Sequence, residues 1–131
     1  MRQVDQLCPC GLGQDYAACC GRYIGRAAAA PTAEALMRSR YSAYVRGDAK
    51  YLLHTWHVST RHQDLELDAE RAVKWRGLEI LVTEAGGGGD AQGVVEFVAR
   101  YKVNGKSCRL HERSRFVKED GRWFYVDGDV R

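Results

Sequence analysis

Four of the chain's five cysteines lie between positions 8 and 20, and a chain that gathers its thiols so tightly must fold its first turns around them. They fall as two pairs, Cys8-Pro9-Cys10 and Cys19-Cys20, separated by Gly11 to Ala18. A zinc ion favours four thiolates in a tetrahedron, and two short clusters joined by a turn can fold back to supply all four. Gly11 and Gly13 let the backbone approach an ion closely, Pro9 stiffens the first pair, and Tyr16 is placed to cover one side. Two disulfides are an alternative, but Cys8 and Cys10 are too close for an easy bridge and a bond between the adjacent Cys19 and Cys20 is strained. An iron–sulfur cluster would use the same four ligands. A redox thiol pair lacks its usual C-x-x-C spacing. A closed four-thiolate zinc site leaves no coordination position for water or substrate, so its role is structural.

The 131 residues fit one domain with a single main core. A net charge of +3, from 20 basic and 17 acidic side chains, is too mild to imply a nucleic acid or a membrane as partner. No apolar run reaches membrane-spanning length, and residues 1–6 lack the apolar segment of a signal peptide. A cytoplasmic, reducing location is therefore expected, which keeps the thiols available as ligands.

After the cysteines, Arg22 to Ala30 reads as a linker and Pro31-Thr32 as a helix start, with Thr32 as N-cap and Glu34 in the first turn. From Ala33 to Arg46, Leu36, Met37, Tyr41, Tyr44 and Val45 recur at helical spacing, with Arg38, Arg40 and Arg46 mostly off that stripe. Gly47 is a natural C-cap and Asp48 the next N-cap, which predicts a second helix over Ala49 to Trp56 burying Leu52, Leu53 and Trp56. Leu65, Ala69 and Ala72 space a short third helix over 61–72. From Trp75 the period changes: residues 78–83, 94–103, 106–118 and 122–126 are rich in β-branched and aromatic side chains. Asn104-Gly105 and Asp120-Gly121 are two-residue hairpin turns, and Gly86 to Gly89 opens a longer loop that reads as flexible linkage. A meander of four antiparallel strands follows. The third is long enough that the sheet is expected to bend around the helices. Alternation turns Val95, Phe97, Ala99, Tyr101, Cys108, Leu110 and Phe116 inward and Arg109, His111, Arg113 and Arg115 outward.

The cysteine stretch resembles the SEC-C motif, a knuckle found at the C-terminus of the preprotein translocase ATPase and in many small bacterial proteins. Cys8, Cys10, Cys19 and Cys20 match the motif's zinc ligands, and Gly11, Gly13, Tyr16 and Gly21 its scaffold. Leu12 stands where the motif has serine and Gln14 where it has lysine, which removes a positive charge that could dock an acidic partner. Residues 36–131 resemble the bacterial YchJ-like proteins. The carrying segments are Leu36 to Tyr41, Tyr51-Leu52 with Thr55-Trp56-His57, Phe97 to Tyr101, Glu112 to Phe116 and Trp123 to Gly128. The resemblance implies an α+β fold: a zinc knuckle over 1–24, a linker over 25–32, and over 33–131 a nuclear transport factor 2-like cone, with helices packed in a curved four-stranded antiparallel sheet.

Three further sets of residues are candidates for function. Glu112 and Ser114 are polar positions on an otherwise apolar inner face, and with Trp56, His57 and Tyr101 they could line a pocket; the plainer reading gives Glu112 a salt bridge to Arg38 or Arg40. The row Arg109, His111, Arg113, Arg115 could meet an anion, or be a solvated sheet face. His54 and His57 share a helical spacing but have no third ligand nearby, and Cys108 reads as a small buried hydrophobe. No motif defines a reaction. Two functions stay open: a zinc-binding accessory module with a protein or peptide partner, or a small-molecule binder or enzyme that uses the cone cavity for acid/base chemistry.

Overall fold

The computed structural model describes residues 7–25, 28–61 and 73–131. The third helix expected over 61–72 lies almost wholly outside them. A 3-10 turn over Tyr16–Ala18 leads into α1 (Gly21–Ile24), followed by α2 (Ala33–Arg46), α3 (Ala49–His54), β1 (Val73–Ala85), β2 (Gln92–Val103), β3 (Lys106–Glu119) and β4 (Arg122–Val130). Among the described helices none is long and apolar enough to cross a membrane.

Local chemistry explains the boundaries. Thr32 accepts a hydrogen bond from the Ala35 amide at 3.0 Å and starts α2, while Gly47 ends it at φ 73°. Asp48 then accepts from the Tyr51 amide at 3.0 Å and starts α3. Asn104-Gly105 and Asp120-Gly121 take positive φ at both positions, the geometry of a tight antiparallel hairpin. The glycine-rich loop is more than linkage. Gly86 accepts a hydrogen bond from the Ala33 amide at 3.0 Å, and a Cβ on Gly93 would lie 2.6 Å from the Gly86 Cα, so the two glycines let the β1–β2 hairpin meet the start of α2.

The sheet corrects the expected fold. Its strands run in the order β1-β2-β3-β4, with each strand paired antiparallel to its chain neighbour, and β1 never pairs with β4. It stays an open sheet, not curled into a cone around the helices. Among the described residues, α2 with 14 residues and α3 with 6 pack with the main core, and they lie on one face of this open sheet. Register shifts between Trp75 and Gly77, Ile80 and Val82, and Arg115 and Phe116 are local irregularities within this open arrangement.

Val95, Phe97, Ala99, Phe116 and Trp123 form the sheet side of the core, and Leu36, Met37, Tyr41, Tyr51 and Leu52 the helix side. A second buried cluster consists of the four N-terminal cysteines, with Ile24 packed against both. Helix α2 lies between them. That position explains why Ser39, Arg40, Ser42 and Ala43 are buried on a helix whose apolar stripe alone predicts a narrower contact. Arg40, expected off the stripe, is 3 % exposed.

Candidate functional site

The first cysteine pair sits on a turn closed by a Cys8 amide bond to the Gln14 carbonyl at 2.8 Å, with Gly11 and Gly13 at φ 90° and 80°. The second pair opens α1: the amides of Tyr23 and Ile24 donate to the Cys20 carbonyl at 3.0 Å. Gly21 lies beneath Tyr16, where a Cβ would fall 2.7 Å from the Tyr16 carbonyl oxygen. Tyr16 packs against the cysteines and carries the Arg46 guanidinium 4.1 Å above its ring.

These turns bring all four thiols together. The Sγ atoms of Cys8, Cys10, Cys19 and Cys20 lie within 4.8 Å of one another, all are buried, and Cys10 and Cys19 stand 3.6 Å apart. Sulfurs bound to one zinc at ~2.3 Å would be ~3.8 Å apart, so the donor set fits a tetrahedral metal. Among the described residues it is the only such group of three or more His, Cys, Asp or Glu side chains. None of the cysteines is in a disulfide. Charge follows the same logic. Hydrogen bonds from Cys10 and Cys20 hold the Cys8 thiol well below its ordinary range, whereas bonding with Cys10 and Cys8, together with burial, pushes Cys20 far up. Burial, then Cys10, raises Cys19 to about 12. A thiolate is thus favoured at Cys8 and opposed at Cys19 and Cys20, and a bound dication would offset that opposition.

Helix α2 supplies the surroundings, which no spacing in the cysteine stretch could show. Ser42 Oγ lies 3.5 Å from Cys8 Sγ, and Arg38 donates to the Cys10 carbonyl at 2.9 Å while pairing with Glu34. Arg22 donates to the Cys19 carbonyl at 3.1 Å. The positive charge missing at Gln14 is thus matched by Arg22, Arg38 and Arg46, around rather than within the turn.

The chain belongs to the YchJ-like family. The family model described as YchJ, middle NTF2-like domain, matches residues 32–128, and the SEC-C motif model matches residues 6–22. A UPF0225 protein of Chromobacterium violaceum is 61 % identical over 131 residues, covering 98 % of this chain and 96 % of its own. One from Streptomyces coelicolor is 56 % identical over 122 residues, covering 93 % and 94 %. Among solved structures, the solution structure of a SEC-C motif containing protein from Rhodopseudomonas palustris superposes with a TM-score of 0.82 at 36 % identity, covering 95 % of this chain and 98 % of that one. The crystal structure of a SEC-C motif containing protein from Psychrobacter arcticus gives 0.75 at 30 %, covering 95 % and 82 %. The YchJ-like family thus joins the cysteine turn to the helix-and-sheet unit in one chain, as here.

The other predicted positions separate. A cavity of about 220 Å³ beneath α2 is lined by Trp56, Glu112 and Ser114, together with Arg40, Tyr44, Trp75 and Tyr125. His57 and Tyr101 are not part of it. His57 Nε2 pairs with Glu119 at 2.8 Å and Nδ1 with Ser59, while Tyr101 packs at a tilt against Trp75, 5.4 Å between centroids, near the hairpin end of β2. Glu112 makes no salt bridge to Arg38 or Arg40; its Oε2 accepts from Ser114 at 2.7 Å and Tyr125 at 3.3 Å. His54 accepts from Arg122 at 3.0 Å and does not share a ligand group with His57. On the outer face, His111 and Arg113 both bond Glu96, Arg113 also Glu84, and Arg115 pairs with Asp127 and Asp129. The row keeps its outward orientation, yet its His111, Arg113 and Arg115 side chains are all bonded to acidic neighbours across the strands. Cys108 is half-buried at the strand end.

Proposed function

We propose that the chain is a zinc-stabilised interaction module: Cys8, Cys10, Cys19 and Cys20 hold one zinc ion as a structural knuckle braced on α2, and the knuckle and sheet surface receive a protein or peptide partner. The observation that carries this reading is the convergence of four buried Sγ atoms within 4.8 Å. Four protein ligands complete zinc's coordination, so the ion supplies rigidity and no reactive position. Leu12, 51 % exposed at the tip of the cysteine turn, is an apolar side chain that the knuckle holds out to solvent. The internally paired outer face argues against a phosphate backbone as partner, because few of its cations are left to displace counterions.

Elemental analysis of protein purified without added metal tests the first half; one zinc per chain is expected. Cobalt substituted into the site should give the absorption of a tetrahedral thiolate complex. Cys10→Ser should lose most of the affinity, a site of this kind being worth roughly 10–16 kcal/mol in small zinc-binding peptides. An iron–sulfur absorption spectrum, or absence of metal from a fully reduced preparation, would exclude zinc. A photo-crosslinker at position 12 tests the partner: a discrete protein adduct that disappears with Cys10→Ser supports docking at the knuckle, and an unchanged adduct sinks it.

A further inference from the structure

Arg40 poses a question that the knuckle does not answer. It is 3 % exposed, and among the described residues its side chain's hydrogen bonds come from Nη1 alone, to the Leu52 carbonyl at 2.8 Å and Thr55 Oγ1 at 2.7 Å. Among the described residues Nε and Nη2 have no hydrogen-bond partner, and Arg40 lines the cavity beneath α2. Ring faces steady the cation: Tyr125 lies 4.7 Å and Trp56 5.8 Å from it. A desolvated guanidinium without a salt bridge is costly to keep, and Glu112, which lines the same cavity, acts on it only through space. The unpartnered Nε–Nη2 edge is the planar fork that matches a carboxylate with two parallel hydrogen bonds.

The rest of the cavity specifies what that carboxylate would be attached to. Met37, Tyr41, Trp75, Phe97 and Leu110 give it apolar walls. Its volume of about 220 Å³ exceeds the ~150 Å³ that takes up a benzene and falls below the ~300 Å³ where drug-sized pockets begin. A single ring with small substituents fits. Glu112 adds a second polar point: Oε2 is held by Ser114 and Tyr125, while Oε1 has no partner among the described residues. Gly128 makes room for that carboxylate, since a Cβ there would overlap it.

We propose that this cavity binds a small aromatic carboxylate bearing a hydroxyl or amine, with the acid on the Nε–Nη2 edge of Arg40 and the donor on Glu112. The site is distinct from the cysteine cluster and does not depend on which metal fills it.

Two-dimensional NMR of the full-length, metal-loaded chain tests the assignment through the indole N–H signals of Trp56, Trp75 and Trp123. The probes are benzoate, benzyl alcohol, and meta- and para-hydroxybenzoate. Benzoate should shift the Trp56 and Trp75 signals at millimolar concentration, and benzyl alcohol, which lacks the acid, should bind about tenfold more weakly. One of the two hydroxybenzoates, which sample two separations of acid and donor, should bind about tenfold more tightly than benzoate. Glu112→Gln should abolish that preference; the comparison of ligands on the unsubstituted chain stands even where this variant fails to fold. Equal binding of benzoate and benzyl alcohol, equal binding of all three acids, no shift with any probe, or shifts confined to Trp123 would each overturn the proposal.

Discussion

Arg38 and Arg40 stand two positions apart on α2 and so reach different neighbours, one the cysteine turn and the other the cavity side of the sheet. Neither role could be read from the helix's own sequence. An arginine at these positions is normally solvated; here Arg38 also reaches the Cys10 carbonyl, and Arg40 is held by the Leu52 carbonyl, the Thr55 hydroxyl and the ring faces of Tyr125 and Trp56. On the outer face the decisive side chain is Glu96. Its carboxyl is held below the ordinary 4.5, first by the hydrogen bond from His111 and then by that from Arg113. The unfolded chain therefore binds this proton at higher pH than the folded one, so the stabilisation is present above pH 4.5 and is lost as pH falls through the folded value. Carboxyl-carbon NMR should find Glu96 titrating below the chain's solvated glutamates. Thermal melts of Glu96→Gln should lose stability near neutrality and show a flatter response to acid; an unchanged acid response would contradict the pairing.

Elements whose ends are governed by local chemistry were legible from the chain alone. Thr32, Gly47, Asp48 and the Asn-Gly and Asp-Gly turns act within a few residues of where they stand, and α2 begins and ends as they predict. The strands run further than their β-branched cores: β1 starts at Val73 and β4 continues to Val130, because register against a partner carries Lys74 and Asp129 into the ladder whatever their own preference. The glycine loop is the instructive miss. A run of four glycines reads as slack, but Gly86 and the more distant Gly93 are the pair that touches α2. Gly93→Ala is expected to cost about 1–3 kcal/mol, because its Cβ would press on Gly86 backbone rather than on a movable side chain. Gly88→Ala, with open space around it, should cost far less. Urea denaturation of the two variants side by side makes the comparison; equal midpoints would deny the contact.

For the molecule as a whole, the knuckle is a wall of α2 rather than an appendage. Its thiols could be recognised from spacing, but not Ser42, Arg38 and Ile24, which join it to the helix and the main core. Curling, too, was beyond reach of strand patterns, which record which face is apolar and not how successive strands bend. Because the two buried clusters are largely separate, chelating the metal should lower the melting temperature and alter the Tyr16 environment while the far-ultraviolet signal of the sheet persists. Collapse of the sheet signal on chelation would mean that the knuckle is required for the core to form. An open sheet also raises a hazard that a closed one avoids. The segment after α3 runs along β4: the Tyr125 amide donates to the Thr55 carbonyl at 2.8 Å, and the His57 amide to the Tyr125 carbonyl at 2.7 Å. Those bonds occupy the middle of a margin onto which another chain's strand could otherwise stack. Disturbing Thr55 to His57 would therefore threaten colloidal behaviour before it threatened the fold, with crowded chains beginning to add to one another along β4.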